Sequence, residues 1–352
     1  MNTDTFMAKR QKLNHQNEET RMTKCIIGRR RIGQALAGLV VVFVALLGTS
    51  AAAEEAYPNR PIRLLVGFGA GGPTDITFRK LAELAGKHLG QPIVVENKPG
   101  AGATLAPSTM ARMDKPDGYT IAAATAGLLR FPHIQKVDWH PTKDFTWIAG
   151  LGGYTFVLAV RSDSPFKTVA DVVAYAKANP GKLSIGTAGA GTTMHLLAEA
   201  FGGMAGIEVT HVGFKSSSEA ATNLIGGHTV AALDAVGSVL PFVESGSVRL
   251  LMSFDALPAD WMPSVPTAKS LGYELVYPAP YGVVGPKGMS PQVVARLNEA
   301  FKAAIDSAEY ATLLRSLRQT YWYKNPADYE AWARAFYVSE RSLVSRAKLG
   351  VQ

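Results

Sequence analysis

From Pro61 onward the chain alternates short apolar runs rich in β-branched residues with longer stretches whose apolar positions recur at helical spacing. The first pattern predicts strands and the second amphipathic helices. Ile62 to Val66 is such a run. It ends in Gly67-Phe68-Gly69-Ala70-Gly71-Gly72-Pro73-Thr74-Asp75, after which Ile76 to Leu89 has helical spacing and stops at Gly90, a residue suited to closing a helix. The unit recurs at Ile93 to Glu96, with Pro99-Gly100-Ala101-Gly102 and a helical stretch to Met113. It recurs again at Leu183 to Thr187, with Ala188-Gly189-Ala190-Gly191-Thr192-Thr193 and Met194 to Met204. Further strands fit Thr120 to Ala124, Val157 to Val160, Val209 to Val212, Val230 to Asp234 and Val248 to Met252, and further helices fit Pro291 to Ser307, Glu309 to Leu317 and Pro326 to Lys348. Such alternation predicts an α/β protein on mostly parallel sheets flanked by helices. Two Pro-bearing stretches, Val160 to Pro165 and Tyr277 to Gly282, mark where the chain would change sheets. They divide it into a discontinuous first lobe, residues 54–160 plus 278–352, and a second lobe, residues 161–277.

Ahead of these elements lies the one apolar run that bears on membranes, Ala35 to Leu47, preceded by Arg29, Arg30 and Arg31 and followed by Ser50-Ala51-Ala52-Ala53-Glu54. A basic segment, a short apolar core and an A-x-A site describe a secretory signal cleaved after Ala53. A spanning helix would need roughly 20 apolar residues. Initiation at Met22 rather than Met1 would give this leader an ordinary length. Removing it changes the charge. The 352 residues carry a formal charge of +8, but eight of the 36 Lys/Arg and three of the 28 Asp/Glu lie in residues 1–53, leaving 28 against 25. No Lys/Arg-rich run remains to track phosphates, so nucleic acid is not an expected partner. Cys25, the single cysteine, also lies in the leader, which leaves the mature chain without disulfide, thiol nucleophile or cysteine-ligated metal. An exported, periplasmic protein is expected.

Catalytic signatures are missing: there is no G-x-x-x-x-G-K-[ST], no G-x-S-x-G and no H-E-x-x-H, and no two of the six histidines after residue 53 stand three or four positions apart. No catalytic residue, metal or cofactor is expected. Binding has more support. Residues 67–75 and 187–195 combine several glycines with Thr74, Asp75, Thr192 and Thr193 at a helix start. Glycine lets backbone N–H groups approach a ligand, and the helix N-terminus adds partial positive charge, so each loop is a candidate anion cradle. Neither contains Arg or Lys, which suits reversible binding of a carboxylate. The alternative is a pair of tight turns with ordinary helix caps.

Several segments resemble one family. They are Ser164-Pro165-Phe166-Lys167-Thr168-Val169 through Ala176-Lys177-Ala178-Asn179-Pro180-Gly181-Lys182-Leu183, Val95-Glu96-Asn97-Lys98-Pro99-Gly100-Ala101-Gly102, Pro116-Asp117-Gly118-Tyr119-Thr120, Lys143-Asp144-Phe145, Val265-Pro266-Thr267 and Val293-Val294-Ala295-Arg296-Leu297-Asn298. Together they are similar to the Bug receptors, periplasmic substrate-binding proteins of tripartite tricarboxylate transporters. The resemblance implies a two-lobed Venus-flytrap fold of type II-like form. It also implies a small organic acid as ligand, delivery to a large and a small membrane subunit, and no chemistry performed. A monomer is expected. By the same resemblance the ligand is held by Phe68 to Asp75, including Ala70, Gly71, Gly72 and Thr74, and by Thr187 to His195, including Gly189, Gly191, Thr192 and Thr193. Gly67 and Ala70 stand where the family commonly has proline, Ala190 where it has Asn, and Met194 where it has a small polar residue. Met194 points to a less polar or aromatic acid.

Other residues carry two readings each. Asp75 would accept a hydrogen bond from the ligand or serve as a helix N-terminal acid. Asp234, at a strand end, would line the cleft or act as a cap, and Tyr281 would close over the ligand or brace the hinge. Rival functions are an exported α/β enzyme acting on a carboxylate and a solute receptor for a sensor kinase.

Overall fold

The structure, a computed structural model, describes residues 57–277, 279–347 and 349. The expected leader and its cleavage site lie outside them. Among the described residues eleven strands form two sheets. The first contains β1 (Ile62–Val66), β2 (Ile93–Asn97), β3 (Thr120–Thr125), β4 (Phe145–Tyr154), β10 (Ala279–Pro286) and β11 (Thr320–Lys324), in the order β11-β4-β10-β3-β1-β2. The second contains β5 (Phe156–Arg161), β6 (Ser184–Thr187), β7 (Thr210–Gly213), β8 (Ala231–Ala235) and β9 (Val248–Ser253), in the order β7-β6-β8-β5-β9.

Both sheets are mixed, where the strand–helix alternation predicted mostly parallel ones. β1 lies parallel to β2 and β3, and β6 parallel to β7 and β8. β10 runs antiparallel to β3 and β4, and β5 antiparallel to β8 and β9. The cause is the pair of crossings. β5 and β10 are the strands by which the chain enters one sheet from the other, so no helical crossover returns them to the parallel direction. The first crossing is the single residue Thr155 between β4 and β5, earlier than the Val160 to Pro165 stretch. Residues 156–160 were expected in the first lobe, yet they belong to the second sheet because all of β5 pairs with β8 and β9.

Ten helices cover the sheets: α1 (Pro73–Leu89), α2 (Leu105–Met113), α3 (Ala126–Ile134), α4 (Val169–Ala178), α5 (Thr193–Ala205), α6 (Ser217–Ile225), α7 (Val236–Glu244), α8 (Pro291–Ile305), α9 (Ala308–Leu317) and α10 (Pro326–Arg346), among the described residues. Strand alternation sorts the core. Ile62, Leu64 and Val66 cluster with Phe78 and Leu81 of α1 and with Leu297 and Phe301 of α8. Leu65, pointing the other way, joins Met110 of α2, Leu128 of α3, and Tyr329 and Ala333 of α10. The second sheet behaves alike: Leu158 and Leu233 pack with Leu197 and Phe201 of α5, while Val157 and Ala232 pack with Leu224 of α6 and Val239 of α7. Each fully buried Leu, Ile or Phe contributes about 1.5–3 kcal/mol. Both sheets are therefore covered on both faces, and their strand ends and helix starts are free to meet between them.

Candidate functional site

Five helices start at the gap between the sheets. Its wall is formed by Phe68, Thr74, Gly102, Thr125, Ala126, Gly127, Tyr154, Phe156, Thr192, Thr193, Met194, Ser217, Ala235, Ala279 and Pro280. These residues bring the N-terminal ends of α1, α3, α5, α6 and α7 to one cleft. The caps divide by chemistry. Thr192 and Ser216 accept bonds from the His195 and Glu219 N–H groups, as capping side chains do. Gly72, Thr125 and Ala235 make no side-chain cap bond. First-turn N–H groups have no partner within their own helix, and aligned peptide dipoles place partial positive charge at that end. No Asp, Glu, Lys, Arg or His stands on the wall. The cleft thus has a positive field from backbone alone and an apolar side formed by Phe68, Tyr154, Phe156 and Met194.

The cleft is nearly shut, with a free volume of about 20 Å³, room for about one water. The Gly69 N–H donates to the Lys215 carbonyl at 2.9 Å, and Gly102 meets Gly191. A Cβ on Gly102 would lie 2.9 Å from the Gly191 carbonyl, and its φ of +61° is in the left-handed region that favours glycine. A second opening of about 510 Å³ adjoins this contact, lined by residues that include Gly189, Gly191, His195 and Lys215.

The sequence candidates fall into three groups. Phe68, Thr74, Thr192 and Thr193 line the cleft, and Gly189 and Gly191 line the adjoining opening. Ala70 and Gly71 are exposed on the loop, while Gly72 backs onto the start of α6, 3.6 Å from the Ser217 nitrogen to an added Cβ. Asp75, Asp234 and Tyr281 stand behind the wall, not on it. Asp75 Oδ2 accepts from the Gly71 N–H and from Arg79 Nε, both at 3.0 Å, and Oδ1 accepts from Asn97 Nδ2 at 2.8 Å. Burial pushes its pKa up, but these donors outweigh burial and hold it below the usual carboxylate range. It organises the first loop. Tyr281 is fully buried, bonded through its hydroxyl to Tyr310 and Gln319, with its ring 4.7 Å from that of Tyr154. Tyr154, which the sequence reading did not single out, is the ring on the wall, and its hydroxyl donates to Thr74 Oγ1 at 2.9 Å.

Asp234 lies one layer below Ser217 and Ala235. Its Oδ1 accepts from the Ser217 hydroxyl at 2.5 Å and from the Ala235 N–H at 2.7 Å, and its Oδ2 is buried without a partner. Burial pushes this carboxyl up to about 7, against the lowering effect of those two bonds. His195 is equally structural: Nδ1 accepts from the Gly191 N–H at 3.1 Å, which shapes the second loop. Its neighbour His211 is held down to about 4 by burial and by His195, and stays neutral.

A buried ion pair ties the cleft to its surroundings. Arg130 of α3 is fully buried. Its Nε donates to Glu340 of α10 at 2.6 Å, both of its Nη atoms donate to Thr193 Oγ1 at 3.1 Å, and Nη2 also bonds the Tyr277 hydroxyl. Tyr277 in turn donates to Glu340 Oε1 at 2.8 Å. Thr193 sits on the cleft wall, so this network joins the first sheet's helices, the returning strand connection and the second sheet's α5.

The family profile of the tripartite tricarboxylate transporter family receptor, TctC, matches residues 77–349. The chain belongs to this receptor family. A UPF0065 protein in the gbd 5′ region of Cupriavidus necator is 42% identical over 327 residues, 92% of this chain and 98% of that protein. Among solved structures, periplasmic binding protein BugD is similar with a TM-score of 0.80 and 28% identity, over 84% of this chain and all (100%) of that one. MatC from Rhodopseudomonas palustris with bound malate gives 0.77 and 27%, over 82% and 100%. An R. palustris protein with adipate gives 0.78 and 27%, over 83% and 98%. The Bug resemblance and the two-lobed α/β fold are thereby established, and these receptors are solute-binding proteins, not enzymes.

Proposed function

We propose that this receptor captures a small organic acid by its carboxylate between the two sheets, in the periplasm and as a monomer, and hands it to the large and small membrane subunits of a tripartite transporter. The observation that carries the reading is the convergence of five helix N-termini on a cleft whose wall bears no charged side chain. A carboxylate there meets N–H groups of α1 and α3 and the hydroxyls of Thr74, Thr125 and Thr193. Phe68, Phe156 and Met194 leave an apolar berth for the body of the acid. The sheets part to admit it, and closure expels water and strengthens each N–H contact by lowering the local dielectric. The malate and adipate bound to family relatives support a carboxylate as the shared chemistry.

The test is thermal unfolding of residues 54–352 with malate, adipate, citrate and aromatic acids, beside the corresponding amides. An acid at 100 times its Kd should stabilise by about 2.7 kcal/mol, and its amide should not. The Gly72→Val variant probes the site directly. Gly72 has extended dihedrals that valine accepts (φ −83°, ψ 167°), so the variant should fold, but the added methyls meet the start of α6. Calorimetry should give at least about tenfold weaker binding, about 1.4 kcal/mol. Equal shifts from acid and amide, or unaltered affinity in Gly72→Val, would remove the carboxylate site from this cleft.

A further inference from the structure

Behind the strands that join the two sheets lies a separate cavity of about 410 Å³, lined by residues that include Tyr277, Asp255, Phe254, Trp322 and Trp332. It shares Tyr154, Ala279 and Pro280 with the carboxylate cleft, so the joining strands form a wall between the two. Its chemistry is the reverse of the cleft's. Asp255 is the one charged side chain on its wall, and among the described residues no Lys, Arg or His forms an ion pair with it. Burial pushes the Asp255 carboxyl up to about 6, against a bond from Thr155, so at neutral pH the site holds a half-buried carboxylate with no cation beside it. The same wall carries aromatic rings: Trp322 and Trp332 meet edge to face at 5.0 Å, and Trp332 stacks on Phe336 at 4.6 Å.

We propose that this cavity is a second ligand site, selective for a small organic cation with an aromatic or alkyl body. A carboxylate supplies the counter-charge, and indole and phenol faces attract an ammonium group through their quadrupoles. A cavity of this size lies within the range that holds small ligands. The site does not depend on what the carboxylate cleft binds.

Benzylammonium serves as the probe and benzyl alcohol as its uncharged counterpart, read by tryptophan fluorescence and calorimetry at pH 8. Benzylammonium should give a saturable fluorescence change that the Trp332→Phe variant largely loses. Benzyl alcohol should bind at least about tenfold more weakly, and Asp255→Asn should weaken benzylammonium by a similar factor. Asp255→Asn keeps the side chain's shape, and its melting curve checks that it folds. No saturable response in the wild type, equal binding of the alcohol, or an unaltered Asp255→Asn affinity would overturn the proposal.

Discussion

Replacing Asp234 by Asn should remove a pH dependence of stability that this single residue imposes. The carboxyl is 1% exposed, and its pKa rises from 3.8 to about 7 on folding. The folded state then binds the proton more tightly than the unfolded state, so stability is full below about pH 4, falls as the pH rises towards 7, and is level above. A shift of about 3 units corresponds to about 4 kcal/mol. Asparagine keeps the acceptor for Ser217 and Ala235 and cannot ionise. Its amide replaces the unpartnered Oδ2, which adds a pH-independent cost of about 1–3 kcal/mol. The quantity to measure is therefore the difference between variant and wild type at pH 8 minus the same difference at pH 4.5. Because the unfolded carboxyl is already largely ionised at pH 4.5, urea titrations at the two pH values should give about 3 kcal/mol in favour of the variant. A difference that does not change with pH would show that Asp234 is ionised throughout, and that its burial is compensated by something other than the proton.

Two further outcomes follow from the closed cleft. Glu340→Gln leaves the fully buried Arg130 without its counter-charge and should lower stability by about 3–5 kcal/mol in chemical denaturation; a loss under 1 kcal/mol would mean that Tyr277 and Thr193 suffice to hold the guanidinium. Gly102→Ala places a methyl 2.9 Å from the Gly191 backbone at a φ of +61°, so small-angle scattering should show an increased radius of gyration and calorimetry a weaker ligand, whereas an unaltered radius would mean that the loops can meet without this contact.

The parts legible in the sequence are those whose physics is local. The first unit, β1 with the glycine loop and α1, was readable because a β-branched run, consecutive glycines and a helical period follow one another, and the α5 loop was readable for the same reason. β10 was not, since Ala279 to Pro286 contains two glycines and two prolines and owes its place to pairing with β3 and β4. α3 and α7 were missed for a related reason: each has nine residues and an internal proline, Pro132 or Pro241, too short and interrupted for a period to show. They supply two of the five helix ends at the cleft. One overlooked signal was available. Ser216 and Glu219 have the spacing of a helix N-terminal capping pair, and in the structure Ser216 Oγ accepts from the Glu219 N–H while Glu219 accepts from the Lys215 N–H. Asp234 and Tyr281, expected as candidates to line the cleft or close over a ligand, lie behind its wall, because the sequence does not record that Ser217, Ala235 and Tyr154 stand in front of them.

The Arg130–Glu340 pair has a consequence for how the molecule comes into being. Its two charges are 210 residues apart, and the second belongs to the last helix of the described chain. A chain emerging N-terminus first carries an unmatched guanidinium next to Thr193 until α10 arrives. Every strand of both sheets therefore precedes, along the chain, the residue that completes this buried tie between them.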